Sequence, residues 1–187
     1  MKSHLHRYLR TAREAVLWKL EGLSPYDLRR PLTPTGTNLL GLVKHLAAME
    51  VGYFADTFDR PFGERFAWMS EDAETNADMW ATVDESVEDV VGLYRRACEH
   101  ADATIDALDL DSTGVVPWWS PERRDVTLHL VLIHMIAETD RHAGHADIVR
   151  ELVDGAAGLR PDNDNLGQVD WETYRAKLEA VARGARD

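Results

Sequence analysis

The chain has 187 residues, of which 44% are hydrophobic and 29% charged, and this composition is typical of one globular domain with a buried core. Acidic residues outnumber basic ones by 33 to 21, so the formal net charge of -12 argues against nucleic acid and acidic membranes as partners. Neither a run of roughly 20 apolar residues that could span a membrane nor an N-terminal secretion signal is visible, and we expect a cytoplasmic protein.

Helical periodicity predicts four long helices, and strand-like alternation never lasts more than a few residues. The first helix should end near Gly22, Thr37 or Asn38 should cap the second, and Gly155 should follow the fourth. A fifth, shorter amphipathic helix is expected over residues 171–181. The four long helices are predicted over about residues 3–22, 37 or 38 to 58, 83–108 and 126–152.

This pattern predicts an all-α protein in which the long helices form a four-helix bundle. The bundle would be a single domain over residues 1–187, with a core over about 1–155 and a C-terminal extension over 156–187. Two long connections, residues 60–80 and 109–125, are rich in aromatic side chains. Such loops act as lids or interfaces, or they simply cover the ends of the bundle, and the sequence favours neither interpretation.

The only cysteine, Cys98, borders the apolar stripe of the third predicted helix, and we interpret it as a small buried side chain rather than a nucleophile. A single cysteine excludes an intramolecular disulfide and a zinc site built from cysteines. A metal in this protein would have to be bound by histidine and carboxylate side chains.

The fourth predicted helix places His134, Glu138, His142 and His145 within twelve residues. With a rotation of about 100° per residue, Glu138 and His142 lie about 40° apart on the helix surface. Apolar residues share this direction: Val131, Met135, Val149 and Leu152. The two polar side chains therefore interrupt the face that should pack into the core, where an unpaired carboxylate is costly and needs a neutralising partner.

The second predicted helix supplies a third candidate ligand, His45, at the border of its inward face. Small residues follow the other side of this helix at Gly41, Ala48 and Gly52. They permit the close approach of another segment or leave a hollow beside the imidazole, and we favour the hollow. Two histidines and one carboxylate from facing helices suit zinc or another divalent first-row metal, with coordination positions left for water or substrate.

Other interpretations of these residues stay open. A glutamate and a histidine four residues apart are common on helices as a solvated or hydrogen-bonded pair. His134 and His145 flank the same face, so either could replace a ligand or form a hydrogen bond to one. The HExxH signature of zincin proteases is absent.

Two segments carry a family resemblance: GTNLLGLVKHLAAMEVGYF around His45, and HMIAETDRHAGHADIVREL around Glu138 and His142. They resemble the DinB-like superfamily, in the branch that includes mycothiol-dependent maleylpyruvate isomerase and other thiol S-transferases. The resemblance runs from the first helix to about Leu152 and implies a four-helix bundle, commonly a homodimer, with one divalent metal bound by His45, Glu138 and His142. Many members have histidine where Glu138 stands, so the metal is open between zinc, which we expect, and nickel or another first-row ion.

The resemblance also implies a metal-dependent transferase or isomerase. In such an enzyme a low-molecular-weight thiol, mycothiol or a similar one, attacks an electrophilic small molecule. A dication bound by two neutral imidazoles and one carboxylate keeps a positive charge, which favours the thiolate form of the thiol. Trp118, Trp119 and Arg141 are candidates for contacts with the substrate or the thiol. Two alternatives remain, a hydrolase that uses the metal to activate water and a non-catalytic metal-binding stress-response protein.

Overall fold

A computed structural model describes residues 1–70 and 72–185, and this part of the chain is mostly helical, as predicted. The strands β1 (Thr113–Val115) and β2 (Asp125–Thr127) form an antiparallel pair in which Thr113 lies opposite Thr127. None of the helices in the described residues is both long and apolar enough to cross a membrane. The helices are α1 (Lys2–Trp18), α2 (Pro25–Arg29), α3 (Leu39–Val51), α4 (Val87–Ala107), α5 (Leu128–Asp154) and α6 (Trp171–Gly184).

The chain divides into two compact units, Met1–Ala157 and Gly158–Asp187. The first unit contains helices α1 to α5 and both strands. The second contains α6, which begins at the N-cap residue Asp170, whose carboxylate accepts hydrogen bonds from the backbone N–H groups of Glu172 and Thr173.

Helix α3 is the central element of the first unit. It packs against both α4 and α5, while α1 packs against α5. Eleven of its thirteen residues are buried, and these are apolar or small except for Lys44 and Glu50. A helix that is apolar nearly all round belongs in a protein interior. Any functional side chain on α3 is therefore fixed by contacts on several sides, and His45, the candidate ligand, is one of the two residues that are only partly buried.

Helix ends follow local capping chemistry. Asn38, one of the two predicted caps, accepts a hydrogen bond from the Gly41 N–H at 2.8 Å. Gly155 ends α5 in the left-handed conformation with φ 79°, as expected of a C-terminal glycine. A π-helical turn, Gly52–Asp56, follows α3, so the regular α-helix is shorter than predicted.

The structure corrects the predicted boundaries of the last two long helices. Helix α4 starts at Val87, because the Ser86 hydroxyl caps it, and Val83, where the helix was predicted to begin, is 92% exposed. Helix α5 starts at Leu128, because Val126 pairs in β2 instead. Leu152, expected on the core face, is also exposed. Three-residue strands and the five-residue α2 are too short to give a clear period, which is why the sequence did not predict them.

Candidate metal centre

The three predicted ligands lie together where α3 packs against α5. Each offers one ligand atom, and these atoms all lie within 4.8 Å of one another. Glu138 Oε1 is 3.3 Å from His45 Nε2 and 3.0 Å from His142 Nε2. One turn of α5 separates Glu138 from His142, so both side chains face the imidazole that α3 supplies.

This donor set fits a divalent first-row metal. Zinc accepts histidine nitrogen and carboxylate oxygen at about 2.0–2.2 Å, which puts two ligand atoms of a tetrahedral site about 3.3 Å apart. The two measured separations to Glu138 are close to that value. The side chains of His45, Glu138 and His142 are 14%, 23% and 10% exposed, so the cluster is largely buried but keeps some contact with solvent.

The ionisation states of these residues also suit a cation. Burial lowers the pKa of His142, and the neighbouring His45 imidazole lowers it further, so His142 is neutral near neutral pH. Burial acts to raise the pKa of Glu138, but its contacts with the His45 and His142 imidazoles outweigh burial and leave that pKa below its ordinary value. The site therefore combines a carboxylate with an imidazole that has a free electron pair.

Two side chains contact the outer nitrogens of the candidate histidines, which are the Nδ1 atoms that do not face Glu138. Asp78 Oδ2 lies 2.7 Å from His45 Nδ1, and His145 Nδ1 lies 3.4 Å from His142 Nδ1. His145 thus takes the second of its two predicted roles, as a partner of a candidate ligand. Asp78 was not predicted, because it lies in an irregular connection 33 residues after His45 and no periodicity relates the two.

His134 lies outside the cluster of candidate ligands. Its ring packs against Tyr53 at 4.6 Å and Trp119 at 5.3 Å between centroids, and burial lowers its pKa. A cavity of about 380 Å³ adjoins it, within the usual range for small-molecule sites. His134 precedes Glu138 by one turn of α5, but none of the three candidate ligands lines this cavity. Its lining residues are Trp118, Trp119, Ser120, Arg123 and His134.

The hollow expected beside the small residues of the second predicted helix is not present at Gly41 in α3 or at Gly52 in the π-helical turn. A Cβ on Gly41 would overlap the Met79 carbonyl, and a Cβ on Gly52 would meet the Trp118 ring. Both glycines instead allow loop segments to approach the helix closely, which is the alternative that we did not favour. The two aromatic connections differ: Trp118 and Trp119 border the cavity beside His134, while Phe62, Phe66 and Trp68 pack against the core.

The remaining candidates take no part in the cluster. Cys98 is half-buried, and burial together with the nearby Glu50 carboxylate raises the pKa of its thiol, which keeps it protonated. Arg141 is exposed and does not line the cavity beside His134.

Two histidines and a glutamate converge here from two packed helices. Helical proteins commonly bind metals and cofactors at such places, between side chains of facing helices. The sequence model of the Mycothiol-S-transferase family matches residues 4–155, and the chain belongs to this family. The match includes the candidate ligands, Asp78 and the cavity beside His134, and it ends close to the boundary of the first compact unit. Neither a curated protein nor a solved structure matches the chain.

Proposed function

We propose that this protein is a divalent-metal-dependent thiol S-transferase, with the metal bound by His45, Glu138 and His142. The observation that carries the proposal is the convergence of these three side chains, within 4.8 Å of one another, in a chain of the mycothiol S-transferase family. Zinc is the metal we expect from the nitrogen and oxygen donors, with nickel or another first-row ion as the alternative.

The proposed site would supply a positive charge for the thiol and a nearby cavity for the reactants. A bound dication lowers the pKa of a coordinating thiol, normally about 8.5, so that the nucleophilic thiolate is present at neutral pH. Since Cys98 is half-buried and stays protonated, the thiol comes from a small molecule, mycothiol or a similar compound. The cavity between Trp118, Trp119 and Arg123 is the place we assign to the thiol or to its electrophilic partner.

The wider context is proposed on the same basis. Helices α1, α3, α4 and α5 would form the four-helix bundle typical of DinB-like proteins, as a single domain with the C-terminal residues as an extension. The protein would act as a homodimer in the cytoplasm on a small-molecule substrate, without nucleic acid or membrane partners. These expectations rest on the family, the acidic composition and the contacts among the helices.

The experiment is a thiol-transfer assay with purified, zinc-loaded protein, mycothiol and the electrophile monochlorobimane. We expect turnover that needs both protein and thiol. His142→Ala should lose this turnover. His4→Ala should keep it, because His4 is an exposed residue of α1 outside the cluster. Turnover of ester or amide substrates without thiol would contradict the proposal and favour a hydrolase. Tight zinc binding without turnover in either assay would also contradict it and favour a non-catalytic metal-binding protein.

A further inference from the structure

We propose that Asp78 is a positioning residue, which fixes the orientation and proton location of His45 so that Nε2 points at Glu138 and His142. This inference rests on the proposed function, since the orientation of the His45 ring matters for binding a metal. Asp78 belongs to the chain segment formed by residues 77–85 (segment 77–85), which crosses one face of α3. Its side chain is 29% exposed and that of His45 is 14% exposed.

The contact between Asp78 and His45 determines which ring nitrogen carries the proton. An ionised carboxylate can only accept hydrogen bonds, so the 2.7 Å contact requires a proton on His45 Nδ1. The contact from His45 Nε2 to Glu138 is longer, at 3.3 Å, which favours Nδ1 over Nε2 as the site of the proton in neutral His45. Nε2 then keeps its electron pair for a metal.

Segment 77–85 is attached to α3 by several independent contacts. The Asn38 side-chain amide donates a hydrogen bond to the Met79 carbonyl at 3.2 Å, next to the position where Gly41 leaves room for that carbonyl. The buried Lys44 ammonium donates to the Trp80 carbonyl at 3.0 Å and to the Glu85 carboxylate at 2.9 Å. Contacts at Met79, Trp80 and Glu85, which follow Asp78 in the chain, therefore hold the segment that carries its carboxylate.

The two histidines differ in their outer partners. The partner of His142 is the imidazole of His145, which belongs to an exposed residue and lies 3.4 Å away, whereas the partner of His45 is a carboxylate in a fixed segment. Among residues 1–70 and 72–185, Asp78 is the only carboxylate hydrogen bonded to the outer nitrogen of a candidate ligand. Its loss should therefore reduce metal affinity more than a surface charge change would.

The test measures zinc affinity and the location of the His45 proton. Zinc is titrated into the metal-free chain against a chelating indicator, for wild type, Asp78→Asn, Asp78→Ala and the control Asp84→Asn. Asp84 is an exposed acid of the same segment, so its variant removes the same charge without touching His45. Loss of an outer hydrogen-bond partner typically costs about 10- to 100-fold in metal affinity. We expect about 10-fold weaker binding for Asp78→Asn, up to about 100-fold for Asp78→Ala, and no change for Asp84→Asn.

The second readout does not depend on metal. Long-range ¹H–¹⁵N NMR spectra of the metal-free chain at alkaline pH should show the His45 proton on Nδ1 in wild type and on Nε2, towards Glu138, in Asp78→Ala. A variant that melts like wild type yet shows both changes supports the positioning role. Wild-type affinity in both Asp78 variants, or an unmoved proton in Asp78→Ala, would overturn it. If wild type binds no zinc, the proposed function fails, while the NMR comparison still decides the role of Asp78.

Discussion

At the scale of single residues, His45, Glu138 and His142 show which part of a site a helical sequence can predict. The spacing of Glu138 and His142 places them on one face of a helix, and this geometry is fixed by the 3.6-residue period alone. Their hydrogen-bond partners follow no such rule. Asp78 reaches His45 from an irregular segment, and the position of that segment depends on long-range contacts with α3. The grouping of the candidate ligands was therefore predictable, whereas the contact between Asp78 and His45 was not.

Cys98 provides a prediction at the residue scale. Its thiol pKa is raised by burial and by Glu50, so the folded protein should contain little thiolate at pH 8. We expect Cys98→Ala to keep thiol-transfer activity with mycothiol, and we expect wild-type Cys98 to react much more slowly with iodoacetamide in the folded state than in urea. Rapid labelling of folded protein, or loss of turnover in Cys98→Ala, would mean that the chain supplies its own nucleophile.

At the scale of elements, the helices form as their periodicity predicts, but the segments between them depend on tertiary contacts. Apolar spacing and caps such as Asn38 and Gly155 are local, which is why the long helices and several of their ends were predictable. The two short strands and the approach of segment 77–85 to α3 involve residues far apart in sequence. Gly41 illustrates the difference, because a glycine in a helix is compatible with a hollow or with close contact, and only the fold determines which occurs.

Gly41→Ala tests the fit of segment 77–85 against α3. The new Cβ would overlap the Met79 carbonyl, so the segment must move away and carry Asp78 from His45. We expect a lower melting temperature and zinc binding that is about 10-fold weaker, although residue 41 is not a ligand. This is the loss expected when a ligand histidine loses its outer hydrogen-bond partner. Gly92→Ala in α4 is the control, since its Cβ would meet only the flexible Arg96 side chain and alanine favours a helix. Unchanged zinc affinity in Gly41→Ala would show that the segment does not need this close fit.

A buried ion network joins α1, α3 and α4. Arg13 donates to both carboxylate oxygens of Glu50, at 2.7 and 2.6 Å, and to Asp102 at 2.6 Å. Because Glu50 is fully buried, Arg13→Met would leave its carboxylate unpaired and should cost about 3–5 kcal/mol in the free energy of unfolding, measured by urea denaturation. The double variant Arg13→Met with Glu50→Met should recover much of that loss. A double variant no more stable than Arg13→Met alone would show that packing, rather than the unpaired charge, causes the loss.

At the scale of the whole molecule, the first compact unit contains all that the proposed site needs. It includes the core, the three candidate ligands, Asp78 and the cavity beside His134, and the family match covers nearly the same residues. The composition and periodicity were sufficient to predict a mostly helical chain. They do not address the oligomeric state, which depends on surface complementarity between copies, and the homodimer that the family resemblance implies stays a prediction.

A shortened chain of residues 1–157 tests whether this unit folds by itself. All buried residues of the described chain lie within it, so its core is complete without residues 158–187. We expect the shortened chain to unfold cooperatively, with a melting temperature within a few degrees of the full chain, and to bind zinc with the same affinity. Loss of cooperative unfolding, measured by circular dichroism, would show that the C-terminal residues are part of the folded domain.

The most direct test of the proposed centre is elemental analysis of freshly purified protein for wild type and for His45→Ala, Glu138→Ala and His142→Ala, with His4→Ala as the control. Three ligands from α3 and α5 predict about one divalent first-row ion per chain in wild type and in His4→Ala, and far less than one in each ligand variant that still folds. Metal-free wild type that also fails to take up added zinc, or full metal content in the ligand variants, would contradict a metal centre at these residues.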